Sequence, residues 1–191
     1  IVAALLLAIL VGLLVVMSIS GNPPGSPVTD TDAVKPFELV DTQGKTITQR
    51  DLTGKWSLLF FGFSRCPDVC PTTLIDMGHV LEQIGPLADA LQPVFISVDP
   101  EWDTQERMKT YMGNFDPRII GLTGSMEQVR EAAKNYSVFF RKVPLDGGGY
   151  TVDHSAALYL LDPNGKYVRP YSWQDGADVL AEKLSAVMKE T

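Results

Sequence analysis

Apolar runs alternate with segments of helical apolar spacing from Phe37 to the end of the chain. The run 56–61 is apolar except for one serine, and the run 94–98 is rich in β-branched and aromatic residues. Such runs predict buried strands, whereas the apolar spacing in 72–84 predicts an amphipathic helix. The predicted strands are 37–40, 45–48, 56–61, 93–98, 119–122, 138–143, 156–161 and 166–170, and the predicted helices are 72–84, 104–113, 125–136 and a last one from about 176 to about 190.

Strands that alternate with helices predict an α/β fold with a largely parallel central sheet. Two predicted hairpins add antiparallel strands and make the sheet mixed. One lies at the start of the domain, around a turn at 41–44, and the other has the turn sequence Asp-Pro-Asn-Gly at 162–165.

The chain divides into three predicted segments. Residues 1–19 are apolar and uncharged, and as a helix they would extend roughly 28 Å, close to the hydrocarbon thickness of a bilayer. We expect a transmembrane anchor there, with a signal sequence as the alternative. Residues 20–36 are rich in proline and glycine and predict a tether, and residues 37–191 form the domain. Because no basic residue follows the apolar segment before Lys35, we expect the domain to face away from the cytoplasm.

Charge narrows the class of partner. The formal net charge is −7 and the sequence pI is about 4.8. Nucleic-acid binding needs a basic patch, so we expect no nucleic-acid partner.

The candidate chemistry lies at a predicted strand-to-helix turn that holds the chain's two cysteines, Cys66 and Cys70. Residues four apart in a helical turn share one face, so both sulfurs can reach one ion or each other. The positive end of a helix dipole also favours thiolate. A disulfide across so short a loop stabilises a fold little, and two thiolates are too few for four-cysteine zinc or iron–sulfur sites.

The two histidines differ in whether they can reach the cysteines. His79 lies about two and a half turns beyond Cys70 in the predicted helix, so we expect a surface or packing role. His154 follows a glycine-rich loop, which we expect to be able to move, and precedes a strand; its position leaves both a ligand role and a packing role open. Two thiolates and one imidazole favour copper, Cu(I) in particular, and zinc is the competitor.

Acidic residues near the predicted strands are further candidates for a metal site. Asp99, Glu101 and Asp103 follow the second apolar strand, and we expect a turn and a helix cap there rather than a metal site. Asp153, beside His154, either orients the imidazole or is solvated.

Several blocks of this sequence, in order and within residues 37–191, resemble the Sco/SenC family. The matching blocks are 61–74 around both cysteines, 95–104, 121–124, and 153–156 with 160–165. The resemblance implies a thioredoxin-like three-layer fold with a mixed central sheet and an added N-terminal hairpin. It also implies copper as Cu(I) or Cu(II), with Cys66, Cys70 and His154 as ligands, and a role in assembling the copper A centre of cytochrome c oxidase. Trp102 departs from the family pattern, in which a basic residue stands between the two acids.

Two functions are compatible with these residues. The first is a copper metallochaperone, whose partners would be the copper-binding subunit of the oxidase, other copper chaperones and, through the anchor, the membrane. The second is a thiol-disulfide oxidoreductase in which Cys66 and Cys70 cycle and keep the cysteines of the oxidase copper site reduced. A peroxidase is a weaker third hypothesis, because Phe63 occupies the position at which a peroxiredoxin motif has threonine. For either main function we expect the periplasmic side of a bacterial inner membrane.

Overall fold

The structure is a computed structural model that describes residues 36–190. The expected anchor at 1–19 and all but the last residue of the expected tether at 20–36 lie outside this range. Within it, no helix combines the length and the apolar character needed to cross a bilayer.

The elements follow the predicted order. The strands are β1 Glu38–Asp41, β2 Thr46–Thr48, β3 Trp56–Gly62, β4 Leu91–Ser97, β5 Ile120–Thr123, β6 Phe140–Pro144, β7 Tyr150–His154, β8 Ala157–Leu161 and β9 Tyr167–Ser172. The α-helices are α1 Val69–Gln83, α2 Gln105–Met112, α3 Met126–Asn135 and α4 Gly176–Lys189, and short 3-10 turns cover Gln49–Leu52, Gly85–Ala90 and Trp173–Asp175.

Seven strands form the central sheet, in the order β2-β1-β5-β4-β3-β8-β9. The pairs β3–β4 and β4–β5 are parallel, and the remaining pairs are antiparallel. The expected mixed sheet is therefore confirmed, although parallel pairing is confined to three strands. Both predicted hairpins form, and β1 joins its hairpin to the sheet by pairing with β5.

The core lies around β3, whose seven residues are all buried. Side chains alternate between the two faces of a strand, so full burial means that both faces of the sheet are covered at this point. Helices α1 and α4 pack against each other, α2 contacts β5, and α3 contacts β1. This layering is the α/β arrangement that the alternating pattern predicts.

Strand β7 was not predicted from the sequence. We expected residues before His154 to form a movable loop, but residues 150–154 pair antiparallel with β6 in a separate two-stranded sheet. The glycines at 147–149 belong to the turn of that hairpin, and Gly148 and Gly149 have positive φ angles of 86° and 79°. The strand is short, and among its five residues only Val152 is buried, so its alternating pattern is weak.

Candidate metal centre

The turn between β3 and α1 presents both cysteines. Cys66 lies in the turn and is partly exposed, whereas Cys70 lies in the first turn of α1 and is fully buried. Asp68 is the N-cap by position, but its side chain makes no capping hydrogen bond. Instead the backbone N–H of Cys70 donates to Cys66 Sγ at 3.4 Å. The Cys66 sulfur thus occupies the end of the helix where N–H groups lack partners and negative charge is favoured.

The structure brings His154 to this pair. The ligand atoms of Cys66, Cys70 and His154 all lie within 4.8 Å of one another, and Cys70 Sγ lies 3.6 Å from His154 Nε2. His154 Nδ1 lies 3.0 Å from the carbonyl oxygen of Ser155. A carbonyl can only accept a hydrogen bond, so Nδ1 carries the proton and Nε2 keeps the lone pair that a metal ligand needs.

Aromatic rings fix the other sides of the imidazole. The rings of Phe60 and Phe63 meet His154 edge to face, with centroid distances of 6.3 and 5.7 Å. Both phenylalanines are buried. They limit the rotation of the imidazole and cover part of its ring.

The two thiols are not equivalent. The pKa of Cys66 lies well below that of an ordinary thiol, chiefly because Cys70 donates a hydrogen bond to its sulfur, with backbone N–H groups adding to the effect. The pKa of Cys70 is raised because its thiol is the donor in that bond and because it is buried. The metal-free site therefore holds one thiolate, on the more exposed cysteine, and one thiol.

Gly62 makes room for the buried sulfur. A Cβ at this position would lie 2.7 Å from Cys70 Sγ and 2.8 Å from Cε2 of Phe95. Both distances are shorter than real Cβ contacts, so a residue with a side chain would displace the sulfur or the ring. Sequence reasoning missed this role, although a glycine at the end of an apolar strand is a recognised sign of close approach.

Two buried aspartates anchor the cysteine turn. Asp103 accepts hydrogen bonds from Ser97 Oγ at 2.6 Å, from the Ser64 backbone N–H at 3.0 Å and from the Ser64 hydroxyl. Asp99 forms an ion pair with Arg65 at 2.9 Å. The segment is a turn, as expected, since the N–H of Asp103 donates to the Asp99 carbonyl. Sequence reasoning missed the burial of both carboxylates and their bonds to the residues that precede Cys66.

The remaining candidate residues lie away from the site. His79 is exposed on α1. Asp153 is exposed and pairs with Arg141 at 2.8 Å, so the solvated alternative holds and Ser155, not Asp153, orients the imidazole. Trp102 is exposed, and the guanidinium groups of Arg65 and Arg107 lie 4.3 and 4.1 Å from its ring centroid.

Fold and side-chain geometry together define a thioredoxin-like domain with a candidate site for a soft metal ion at the start of its first helix. The chain belongs to the SCO1/SenC family, whose model matches residues 26–189. It is 40% identical over 156 residues to the mitochondrial SCO1 homolog 1 of Arabidopsis thaliana, covering 81% of this chain and 46% of that protein. The chain spans about half the length of the curated relatives it matches.

Solved structures give the same result. The chain resembles Bradyrhizobium japonicum ScoI with copper bound, with a TM-score of 0.73 and 42% identity, covering 83% of this chain and 99% of that one. It also resembles yeast Sco1 with copper bound, with a TM-score of 0.76 and 38% identity, covering 82% and 88% of the two chains. The thioredoxin-like fold expected from the sequence is thereby confirmed.

Proposed function

We propose that this protein binds one copper ion through Cys66, Cys70 and His154 and delivers it during assembly of the copper A centre of cytochrome c oxidase. The observation that carries the proposal is the convergence of two sulfurs and one unprotonated imidazole nitrogen within 4.8 Å. Two of these atoms come from a turn and the helix that follows it, and the third comes from a strand 84 residues beyond Cys70, so the fold itself completes the site.

The donor set fits copper. Two sulfurs and one imidazole nitrogen make a soft site of low coordination number, which suits Cu(I) and can also hold Cu(II). Structural zinc sites are almost always four-coordinate, and within residues 36–190 no other cysteine, histidine or carboxylate joins the cluster. The copper-bound relatives from Bradyrhizobium and yeast support the same assignment.

The geometry also suits delivery rather than storage. Three ligands leave a coordination position to which a thiolate of an acceptor can bind before the ligands of the donor leave. Cys66 is partly exposed, so an acceptor can approach the site from that side. We propose the copper-binding subunit of the oxidase as the acceptor and other copper chaperones as donors, with the domain anchored at the extracytoplasmic face of a membrane.

The difference between the thiols favours a second function, thiol-disulfide exchange. The Cys66 thiolate is the form that attacks a disulfide, and Cys70 lies close enough to resolve the mixed disulfide. Such a protein would keep the cysteines of an oxidase copper site reduced. The two functions exclude each other at any one moment, because a disulfide cannot bind copper.

Copper titration of the reduced protein separates the two functions. We expect one equivalent of Cu(I) to bind in competition with a chelator, and Cu(II) to give thiolate-to-copper charge-transfer bands. Cys66→Ala should abolish binding, and His154→Ala should weaken it more than about 100-fold, because removing groups that only orient a ligand already costs about 10–100-fold.

The matched control is His79→Ala, which removes the other histidine, on the exposed surface of α1. It should bind copper like the unaltered protein. Unchanged binding in both Cys66→Ala and His154→Ala would refute the assignment. Failure to bind copper, together with a disulfide that cycles readily, would favour the oxidoreductase.

A further inference from the structure

The position of His154 depends on a hairpin outside the main sheet. Strands β6 and β7 pair only with each other among the described strands. Residues Tyr150, Val152 and His154 alternate along β7 and therefore share one face of it. Val152 on that face is buried. The contacts of this face consequently decide whether the imidazole of His154 lies over the cysteines.

A single buried carboxylate connects this hairpin to the cysteine turn. Asp99 is fully buried, and its two oxygens lie 2.9 and 3.1 Å from the Tyr150 hydroxyl. The same carboxylate pairs with Arg65 at 2.9 Å and with Lys142 of β6 at 3.3 Å. Arg65 directly precedes Cys66 in the chain, so Asp99 holds one group next to the first cysteine and two groups of the hairpin.

The ring of Tyr150 adds a second connection between the same elements. The Arg65 guanidinium lies 4.4 Å and the Lys142 ammonium 4.2 Å from its centroid. Lys142 also reaches Glu101 at 2.6 Å. Residue 101 belongs to the turn that follows β4, so the hairpin is held to the body of the protein by side chains of both of its strands.

We propose that Tyr150 and Lys142 form a latch on Asp99 that positions His154 over Cys66 and Cys70. Both are positioning residues, since neither touches the metal ligands. With the latch closed, the site has three ligands. When it opens, the hairpin carries His154 away and leaves the two cysteines in place. If the protein binds copper as proposed above, the latch therefore determines the fraction of molecules in which His154 is positioned to bind the ion.

Two substitutions open the latch without leaving a buried charge unpaired. Tyr150→Phe removes only the hydroxyl and keeps the ring in contact with Arg65 and Lys142. The carboxylate of Asp99 still pairs with Arg65, so we expect the loss of global stability not to exceed what this one hydrogen bond provides. Adding Lys142→Met also removes the ion pairs that Lys142 of the hairpin forms with Asp99 and Glu101. The matched control is Arg141→Met, which breaks an exposed ion pair within the same hairpin and should leave the latch closed.

Imidazole NMR signals of the full chain, free of metal, provide the first measurement. The chain has two histidines, and the exposed His79 serves as an internal reference. His154 signals should be displaced by the rings of Phe60 and Phe63. In Tyr150→Phe the open population should rise about tenfold, as expected for loss of a hydrogen bond to a charged acceptor. The His154 signals should then move toward those of His79, and further in the double variant.

Cu(I) affinity provides the second measurement. It should fall in Tyr150→Phe by the factor by which the closed fraction falls in the NMR measurement, and by more in the double variant, because binding through all three ligands requires the closed state. The latch is overturned if the His154 signals of the double variant are unmoved, or if Arg141→Met moves them equally. A wild-type protein that binds no copper, but whose His154 signals respond as described, would contradict the copper function while supporting the latch.

Discussion

Gly62→Ala tests whether a single missing side chain makes the site possible. The added Cβ would meet Cys70 Sγ at 2.7 Å and the Phe95 ring at 2.8 Å. The backbone cannot easily move away, because Gly62 pairs with Ser97 of β4 and its carbonyl accepts a hydrogen bond from the Val98 N–H at 2.8 Å. Cys70 and Phe95 are both fully buried, so neither has free space to enter.

Two effects of opposite sign determine how much Gly62→Ala changes the free energy of unfolding. Alanine in place of glycine inside a strand stabilises a fold by about 0.5–1 kcal/mol through the unfolded chain and the strand propensity. Overpacking a well-packed core costs about 1–3 kcal/mol. With two contacts below 3.0 Å, the steric cost should dominate. We expect the free energy of unfolding to fall by about 1–2 kcal/mol, which lowers Tm by about 4 °C in a domain of this size.

Urea unfolding measures the loss of stability, and copper titration measures the effect on copper binding. In the unaltered protein Cys70 Sγ lies 3.6 Å from His154 Nε2. Displacing the sulfur should therefore also weaken copper binding, because the ligand atoms would no longer converge on one ion. The control is Gly147→Ala, where an added Cβ meets nothing within 4 Å and both quantities should be unchanged. A Gly62→Ala protein as stable as the unaltered one, with the same copper affinity, would show that the cavity for the sulfur is not limiting.

Two further predictions concern the cysteine turn. Asp103→Asn should lower the free energy of unfolding by about 1–3 kcal/mol in urea titrations, because the amide keeps one acceptor oxygen where Ser64 and Ser97 need two; unchanged stability would contradict this anchor. Because the pKa of Cys66 is lowered, its thiolate persists as the pH falls below the ordinary thiol pKa of about 8.5, and alkylation by iodoacetamide should stay fast at about pH 6. Cys70→Ala removes the main hydrogen bond to this thiolate, so alkylation at that pH should slow; an equal rate would contradict the inferred cause.

The sequence alone determined the elements that depend on local pattern. The buried run at β3, the helix that starts after it and the placing of Cys66 and Cys70 at their junction all follow from periodicity and from residues close together in the chain. The hairpin turns at 41–44 and 162–165 were also predictable, because turn sequences act over four residues. Resemblance to a known family then added the fold type and the implied ligand set.

Tertiary structure decided the rest. His154 meets Cys70 across 84 positions and Tyr150 meets Asp99 across 51, and such contacts depend on which strands pair and in what register. The need for Gly62 arises because α1 places a sulfur, and β4 the ring of Phe95, within 3 Å of the position that a Cβ would take. Periodicity shows which face of an element is buried, but not which other element covers it. The cysteines are therefore visible in the sequence, whereas the space around them and the hairpin that brings the histidine exist only in the fold.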